Sequence, residues 1–509
     1  MCPSLVSILC SFAFFLLPFP FALAQPHIIQ VVDETTGRGV PLVELRTTSA
    51  VQAITDSAGI IAWDEPGLMD RKVHFTISSS GYEYPADGFG YRGLVIQTKP
   101  AQKTVIRLKR INIAERLYRI TGQGIYAESI KAGLKTPLKQ PVFNGGVMGQ
   151  DTVQTIEYQN KLFWFWGDTS RPDYPLGNFS TTGATSELPT KGGLDPAVGI
   201  DLTYFTNPAG NTSPMVVGLP KGGMIWIDAL MVLPDETGRP RLLARFAHHK
   251  SLSEVSQRGL IIWDDAKSTF GPLVEFPLNQ PLYPASQPFR HRDGDVEYLY
   301  FPTPYACVRV RADFKSVQDQ NAYEAWTCLR PGSRYGKAAD AALDRDPAGK
   351  LVWGWKRDTA PVREKEQKDL IKAGKLTDAE ATFNLKDAAG RRVTLHAGTI
   401  AYNIFRKRWI LIGHEIGGTA SLLGECWYTE ADRPEGPFLH GVKIATHEKY
   451  TFYNVVHHPQ FDQENGRLVY FEGTYTKEFS GNPDATPRYD YNQIMYRLDL
   501  ADPRLKAGQ

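Results

Sequence analysis

Two aspartates flank one short polar turn, and their spacing would let them act as a pair. Residues 149–170 read GQDTVQTIEYQNKLFWFWGDTS, with the turn at Gln159-Asn160. A hairpin folded about this turn sets Asp151 directly across from Asp168. The Cβ atoms of directly paired residues lie about 4.5–5.5 Å apart. Two carboxylates at this distance repel each other, so one of them should keep its proton to a higher pH than the other.

A split pair of carboxyl groups is suited to acid–base chemistry. Glycoside hydrolysis uses two such groups, one as the acid and one as the base or nucleophile. The same two residues also fit ordinary turn chemistry, because Gly-Asp steps are common in turns. The hairpin alone leaves both interpretations open.

The elements that would position this pair are strands. The aromatic run Leu162–Trp166 contains no turn former, which predicts a buried strand. From Met148 onward one pattern recurs: an apolar strand, a polar turn and a second apolar strand that ends in polar residues. Its copies begin near Asp151, Asp228, Ser286, His396 and Tyr453. Strand-built copies at intervals of roughly 40–60 residues are typical of a β-propeller, and the wider intervals require insertions.

The sequence therefore predicts an all-β chain in which residues 148–509 form a five-bladed β-propeller with a helical insertion. The insertion is the charged segment Ala360–Phe383, where Thr377 and Glu380 fit a capping box. The final strand, residues 493–500, is expected to complete the ring against the first blade.

The region before the propeller divides into three parts. Residues 1–24 are expected to be a signal peptide, residues 25–110 a β-sandwich, and residues 111–147 a connector in which Ala114–Ile120 is a candidate short helix. Of the five cysteines, Cys307, Cys328 and Cys426 follow the signal. The first two could form a disulfide in an exported protein, or all three could be buried thiols.

The N-terminus carries an export signal. Residues 5–24 are almost wholly apolar and end in Ala22-Leu23-Ala24, an A-x-A cleavage pattern before Gln25. No Lys or Arg precedes the run, which is also long enough to anchor in a membrane. Two prolines near its end favour cleavage, so we expect a secreted or periplasmic protein without stable membrane insertion. The formal net charge of +2 gives no support for nucleic-acid binding.

Polar residues at one end of the first strand of each blade should converge on a central channel, as a hydrolytic site requires. We expect the catalytic residues to be Asp151, Asp168 and Asp228. Asp228 interrupts an apolar run, so it must be either paired or functional. The residues expected to bind substrate are Gln287, His396, Glu415, Asn454, His458 and Glu472. No metal or cofactor is predicted, because lone histidine pairs such as His457-His458 more often form structural hydrogen bonds.

Short motifs give two family resemblances. The V-x-D-x-x-T-G-x-x-V-P run at Val31–Pro41, the T-D-x-x-G turn at Thr55–Gly59 and the Ser80-Gly81-Tyr82 step resemble the carboxypeptidase-regulatory or transthyretin-like β-sandwich. That resemblance implies an accessory unit without chemistry of its own.

The five copies, the Gly-Gln-Asp start of the first, its Gly167-Asp168-Thr169 end and the R-P-E-G-P-F turn at Arg433–Phe438 resemble the five-bladed propeller glycoside hydrolases of the endo-arabinanase type. The resemblance implies cleavage of a carbohydrate by an acid pair at the mouth of the channel. The third copy departs from the pattern, because Ser286-Gln287-Pro288 offers no acid. The general acid must then come from elsewhere, with Asp168 or Glu415 as the substitute.

Together these features predict a secreted glycoside hydrolase that acts on a polysaccharide or oligosaccharide through a carboxylate pair. Two alternatives stay open. One is a non-catalytic carbohydrate-binding propeller, and the other is a polysaccharide lyase that relies on His and Tyr. The aromatic residues that could stack on sugar rings in the first are Trp164, Trp166, Trp226, Tyr450, Tyr453 and Tyr475.

Overall fold

The computed structural model describes residues 25–173, 181–220, 223–251 and 253–506, and the regular secondary structure of this part of the chain is almost all strand. The predicted signal peptide lies outside the described residues. Among the described helices, none is both long and apolar enough to cross a membrane.

Eight strands build the N-terminal unit. They are β1 (His27–Asp33), β2 (Glu44–Thr47), β3 (Gln52–Ile54), β4 (Ile60–Trp63), β5 (Lys72–Ser78), β6 (Tyr82–Glu83), β7 (Gly93–Gln97) and β8 (Lys103–Arg110). They form two four-stranded sheets, ordered β4-β1-β8-β6 and β3-β2-β5-β7. Apolar residues at alternating positions, such as Val73, Phe75 and Ile77 in β5, share one core with residues of the other sheet.

The next segment contains a strand where the sequence predicted a short helix. Residues Glu115–Arg119 form β9, which pairs antiparallel with residues 494–497 near the end of the chain. All five side chains of β9 are buried, so tertiary packing overrides the local helix preference. A one-turn helix, α1 (Ala127–Lys131), follows.

Residues 149 onward form five successive antiparallel sheets, here called sheets I to V. After β10 (Gly149–Gln150), sheet I contains β11 (Gln154–Tyr158), β12 (Lys161–Trp166), β14 (Thr182–Glu187) and β15 (Thr203–Tyr204), while β13 (Thr169–Ser170) pairs with β10. Sheet II contains β16 (Met224–Pro234), β17 (Pro240–Ser251), β18 (Glu254–Asp264) and β19 (Thr269–Phe276).

Sheet III contains β20 (Phe289–Asp293), β21 (Val296–Pro302), β22 (Ala306–Arg311), β23 (Glu324–Thr327) and β24 (Gly354–Arg357). Helix α2 (Glu364–Lys372) and β25 (Phe383–Lys386) follow, and β25 pairs with β29 (Phe438–His440). Sheet IV contains β26 (Leu395–Asn403), β27 (Arg408–Glu415), β28 (Glu425–Ala431) and β30 (Val442–Thr446). Sheet V contains β31 (Thr451–His457), β32 (Leu468–Thr476), β33 (Asn492–Asp499) and β9.

Short 3-10 turns occupy Pro189–Lys191, Ser316–Gln318, Ala338–Asp340, Pro459–Phe461 and Pro503–Lys506. The helix of the charged insertion is shorter than the sequence suggested. Thr377 and Glu380 do exchange the reciprocal hydrogen bonds of a capping box, but on a turn after α2 and not at the start of a helix.

Each of the five sheets shares a hydrophobic core with the next. The pairs of sheets and representative residues are I and II (Phe165, Leu242), II and III (Leu243, Val308), III and IV (Tyr300, Trp409), IV and V (Ile410, Phe471), and V and I (Tyr470, Trp164). Strand β12 shows why: Phe163 and Phe165 face sheet II, whereas Trp164 and Trp166 face sheet V. A strand buried on both faces needs the uninterrupted aromatic run seen in the sequence.

The last strand, β33, pairs with β32 and β9. The sequence predicted that it would close the ring against the first blade. The strand β9 fills the position outside it, so β33 pairs with no strand of sheet I among the described residues, although its Met495 lies in the core that sheets V and I share. Contact between sheets V and I is made instead by the core around Trp164 and Tyr470.

Three cysteines lie in buried positions as free thiols, Cys307, Cys328 and Cys426. Burial raises the pKa of the Cys307 thiol to about 12 and that of the Cys328 thiol to about 12. Of the two possibilities left open by the sequence, the structure therefore has the buried thiols.

Candidate active site

The hairpin of β11 and β12 has the register predicted from the sequence. Gln154 pairs with Phe165 and Tyr158 with Lys161, while Gln150 pairs with Thr169 just outside. Asp151 and Asp168 are therefore opposite each other, and the Asp151 backbone N–H donates to the Asp168 carbonyl at 3.2 Å. The Asp168 N–H in turn donates to Asp151 Oδ1 at 2.8 Å.

A cavity of about 660 Å³, here called the upper cavity, lies where the first strands of all five sheets begin. Asp151, Asp168, Asp228, Gln287 and Asn454 line it, and sheet IV contributes residues 397–399. Farther along the same strands, residues such as Thr155, Val232 and Ala401 line a smaller cavity of about 330 Å³. The first strands thus run in one direction past both cavities, which is why residues distant in sequence converge.

In four of the five sheets, a residue next to the upper cavity has a strained backbone conformation. Non-glycine residues with positive φ are Thr152 (52°), Ala229 (50°), Ser286 (60°) and Asn454 (51°). Each is the immediate neighbour of a residue that lines the upper cavity. Such conformations cost about 1–3 kcal/mol each and cluster at functional sites, and a β-branched residue such as Thr152 is a rare occupant of this region.

Burial and a neighbouring charge both act on Asp151. Loss of solvation, followed by the charge of Asp168, raises the pKa of Asp151 to about 7, although hydrogen bonds from Tyr453 and the Asp168 N–H oppose the shift. The Tyr453 hydroxyl donates to Asp151 Oδ2 at 2.6 Å. Both carboxyl oxygens of Asp151 therefore accept a hydrogen bond from protein.

Asp168 has a different set of contacts. Trp226 Nε1 donates to its Oδ1 at 3.0 Å, and within the described part of the chain Oδ2 has no hydrogen-bond partner. Burial raises the pKa of Asp168, while the bond from Trp226 lowers it. The site therefore contains two carboxyl groups whose ionised forms are both disfavoured by burial.

Asp228 is paired with a cation. Arg245 donates to Asp228 Oδ2 at 2.7 Å, and the Ser286 N–H donates to the same oxygen at 3.0 Å. Burial raises the pKa of Asp228 despite these two contacts. Its Oδ1 is buried and has no hydrogen-bond partner among the described residues, so one acceptor beside the cavity is unsatisfied.

Two polar residues of the predicted set connect neighbouring sheets. Gln287 donates from Nε2 to the Val153 carbonyl at 3.1 Å, between sheets III and I. Asn454 donates from Nδ2 to Thr152 Oγ1 at 2.7 Å, which connects sheet V to residues 150–152, here called the Asp151 turn. Both line the upper cavity.

The other predicted substrate-binding residues do not line the upper cavity. His396 is exposed, next to the ring of His414 at 5.1 Å. Glu415 is buried, forms an ion pair with Arg391 and accepts from Trp427 Nε1 at 2.8 Å.

His458 and Glu472 are also away from the cavity. His458 Nε2 lies 2.8 Å from Glu472 Oε1, and neither side chain is exposed. The His458 Nδ1 atom lies 3.2 Å from Thr155 Oγ1 of sheet I. This buried group joins sheets V and I, which suits a structural role.

The cavity lining also contains polar and aromatic residues outside the predicted catalytic and substrate-binding set, among them Arg245, Tyr453, Glu478, Phe479 and Tyr491. Arg245 lies directly across the second hairpin from Asp228, but a β-bulge between Asp228 and Met231 shifts the register by one residue. Pairing counted back from the turn would therefore have named its neighbour Phe246. Tyr491, Glu478 and Phe479 come from the long connection between β32 and β33, which has no sequence signal for its path.

No protein-family model matches the sequence, and no curated protein matches it. Solved structures similar to the chain include glycoside hydrolases. A putative exo-β-1,3-galactanase from Bifidobacterium bifidum is 10% identical with a TM-score of 0.37, covering 76% of this chain and 94% of that one. The α-L-arabinanase of Penicillium chrysogenum, solved with arabinobiose, is 11% identical with a TM-score of 0.36, covering 76% and 99%. The exo-β-1,3-galactanase of Phanerochaete chrysosporium, solved with galactose, is 12% identical with a TM-score of 0.36, covering 76% and 65%.

Proposed function

We propose that this chain is a glycoside hydrolase that cleaves a polysaccharide or oligosaccharide in the upper cavity, with Asp151 and Asp168 as its carboxylate pair. The observation that carries the proposal is the coupling of these two carboxyl groups in a cavity large enough for sugar units, where the pKa of Asp151 is raised to about 7. A pKa near the working pH is what acid–base catalysis requires.

The hydrogen bonds support a division of roles within the pair. Asp151 receives bonds on both oxygens, which stabilise the carboxylate and suit a base or nucleophile. Asp168 receives one bond and keeps Oδ2 for a substrate oxygen, which suits the general acid. The pKa of Asp151 is raised to about 7, which by itself would also suit a general acid. Protons leave a coupled pair in two shared steps, however, and we therefore assign the roles by the hydrogen bonds.

Asp228 is proposed to orient the substrate. Its pairing with Arg245 favours the ionised form. Its buried Oδ1 has no hydrogen-bond partner within the described ranges and would accept a hydrogen bond from a sugar hydroxyl after a small rotation of the side chain. Trp226 and the half-exposed Phe479 add aromatic surfaces at the same cavity, on which sugar rings can stack.

The architecture in this proposal is a five-bladed propeller made of sheets I to V, preceded by an accessory β-sandwich of β1 to β8. The shared cores between successive sheets, including V with I, support it. We also propose export with cleavage after Ala24; N-terminal sequencing of exported protein should begin at Gln25, and an intact membrane-embedded N-terminus would contradict it.

Gln287 favours a second candidate, a non-catalytic carbohydrate-binding protein. Gln287 carries an amide at the start of the third sheet, the position where the resemblance to propeller glycoside hydrolases predicts an acid. A lyase, which would rely on His and Tyr, has less support, because Tyr453 in the cavity already donates to Asp151 and burial raises the pKa of Tyr491, which disfavours it as a base.

The deciding experiment screens the purified mature protein against a panel of polysaccharides for released reducing ends. Release that disappears in Asp168→Asn would support the hydrolase. Binding without release would favour the binding protein, and products with an unsaturated ring would favour the lyase.

A further inference from the structure

Sheet V holds the Asp151 turn from several sides. The Gln150 N–H donates to the Tyr491 carbonyl at 2.9 Å, and Gln493 Nε2 donates to the Gln150 carbonyl at 3.0 Å. On the other side of Asp151, the Thr152 N–H donates to Thr474 Oγ1 at 3.1 Å. The two residues that flank Asp151 are thus fixed to the last sheet of the chain.

Tyr453 is the contact from that sheet that reaches the carboxyl group itself. Its side chain is buried, and its hydroxyl is 2.6 Å from Asp151 Oδ2. The phenol of Tyr491 lines the same cavity and interacts electrostatically with Asp151. Tyr453 directly precedes Asn454, one of the strained residues, which donates to Thr152 Oγ1.

We propose that Tyr453 is a positioning residue that fixes the orientation of Asp151 and stabilises its ionised form, an inference that rests on the proposed function. A phenol donates to a carboxylate more strongly than to a carboxylic acid, so the contact favours ionisation. It opposes the effects of burial and of Asp168. The titratable groups around Asp151, from the turn, sheet II and sheet V, are Asp168, Asp228, Arg245, His249, Tyr453, Glu478 and Tyr491.

Tyr453→Phe removes the hydroxyl and keeps the ring. We expect the pKa of Asp151 to rise by about one unit, the effect of losing one hydrogen bond to a charged group. In the pH profile of kcat/KM, the acidic limb should move to higher pH by the same amount, while the rate well above the limb stays close to that of the parent. A purely structural role would instead lower the rate equally at every pH.

Tyr204→Phe is the matched control. Tyr204 is also a buried tyrosine, and its hydroxyl donates to Gln150 Oε1 at 2.9 Å, one residue away from Asp151. This variant loses a hydrogen bond in the same segment but should leave the acidic limb in place. A limb that moves equally in both variants would overturn the proposal.

A second measurement does not depend on turnover. The carboxyl carbon of Asp151, labelled with ¹³C and assigned by its loss in Asp151→Asn, can be titrated in each folded variant. An upward shift in Tyr453→Phe alone supports the proposal, and an unchanged titration overturns it. If no glycan is cleaved, the proposed function fails while this titration still decides the role of Tyr453. If Tyr453→Phe does not fold, Tyr453→Met, which also lacks the hydroxyl, replaces it, with the same upward shift expected and an unchanged titration again decisive against the proposal.

Discussion

The substitution Asp151→Asn tests the electrostatics of the site through protein stability. Burial and the charge of Asp168 raise the pKa of Asp151 from 3.8 to about 7 in the folded protein. In the unfolded chain, the pKa of the same carboxyl group is close to 3.8. The folded state therefore binds the proton more tightly than the unfolded state. The stability that this binding contributes is complete below about pH 4 and is lost as the pH rises through about 7.

The magnitude follows from the size of that shift. About three units at 1.36 kcal/mol each gives roughly 4 kcal/mol as an upper bound. Water reaches the partly exposed carboxyl from the cavity, so we expect about 2–4 kcal/mol. An asparagine keeps the shape and can still accept the Asp168 N–H. The variant should thus match the parent at pH 4 and exceed its free energy of unfolding by about 2–4 kcal/mol at pH 8.

The assay is urea denaturation of both proteins from pH 4 to pH 8 at constant salt, with the difference in unfolding free energy plotted against pH. Asp235→Asn is the control. Asp235 lies in the turn between β16 and β17, where the Thr237 hydroxyl and the Thr237 and Arg239 N–H groups lower its pKa. A carboxyl whose pKa is lowered is already largely ionised in both the folded and the unfolded state above about pH 5, so this variant should be less stable than the parent by a nearly constant amount over most of the range. A flat difference curve for Asp151→Asn would refute the assigned electrostatics.

Three further outcomes are expected. Asp168→Asn should reduce the rate of glycan cleavage by about 10²-fold or more, whereas Asp235→Asn should leave the rate unchanged. The double variant Asp151→Asn/Asp168→Asn should lose little more activity than either single variant. Full activity in Asp168→Asn would exclude Asp168 from the catalytic site. Arg245→Ala should destabilise the fold by about 2 kcal/mol in thermal or urea melts, less than for a fully buried pair, and the added substitution Asp228→Asn should restore part of the loss; purely additive losses would argue against the pair. The carboxyl group of Glu472 is fully buried against His458, so Glu472→Gln should lower the melting temperature and leave kcat per folded molecule unchanged. A fall in kcat without a change in melting temperature would indicate that Glu472 takes part in catalysis.

The sequence predicted the hairpins of the five sheets, because a hairpin depends on residues close together in the chain. The Asp151–Asp168 register follows from one turn and two regular strands, and no bulge interrupts them. The hairpins of the five sheets were recognisable because the second strand of each is a largely buried apolar run that follows a polar turn, as in β12, β21 and β27. By contrast, β9 was mistaken for a helix because its five buried residues carry no period-2 pattern, and its partner lies at the far end of the chain.

The rest of the site depends on features that leave no trace in one sequence. Positive φ angles at Thr152, Ala229 and Ser286 occur at residues that do not normally signal such a conformation. The resulting bulges re-aim side chains by one position, as with Arg245. Acids such as Glu415 and Glu472 sit in strand-end contexts similar to that of Asp168, yet only tertiary partners reveal that they belong to other buried clusters.

The pairing of β9 with β33 has a consequence for biosynthesis. Residues 115–119 leave the ribosome early, but their partner strand at 492–499 is among the last segments to be made. Until then β9 is an unpaired edge, and the Asp151 turn lacks the sheet that holds it. Contacts this distant in sequence form slowly, and exposed edges promote association between chains. Truncated chains should therefore aggregate and lack activity, so that only a completed polypeptide carries an assembled site.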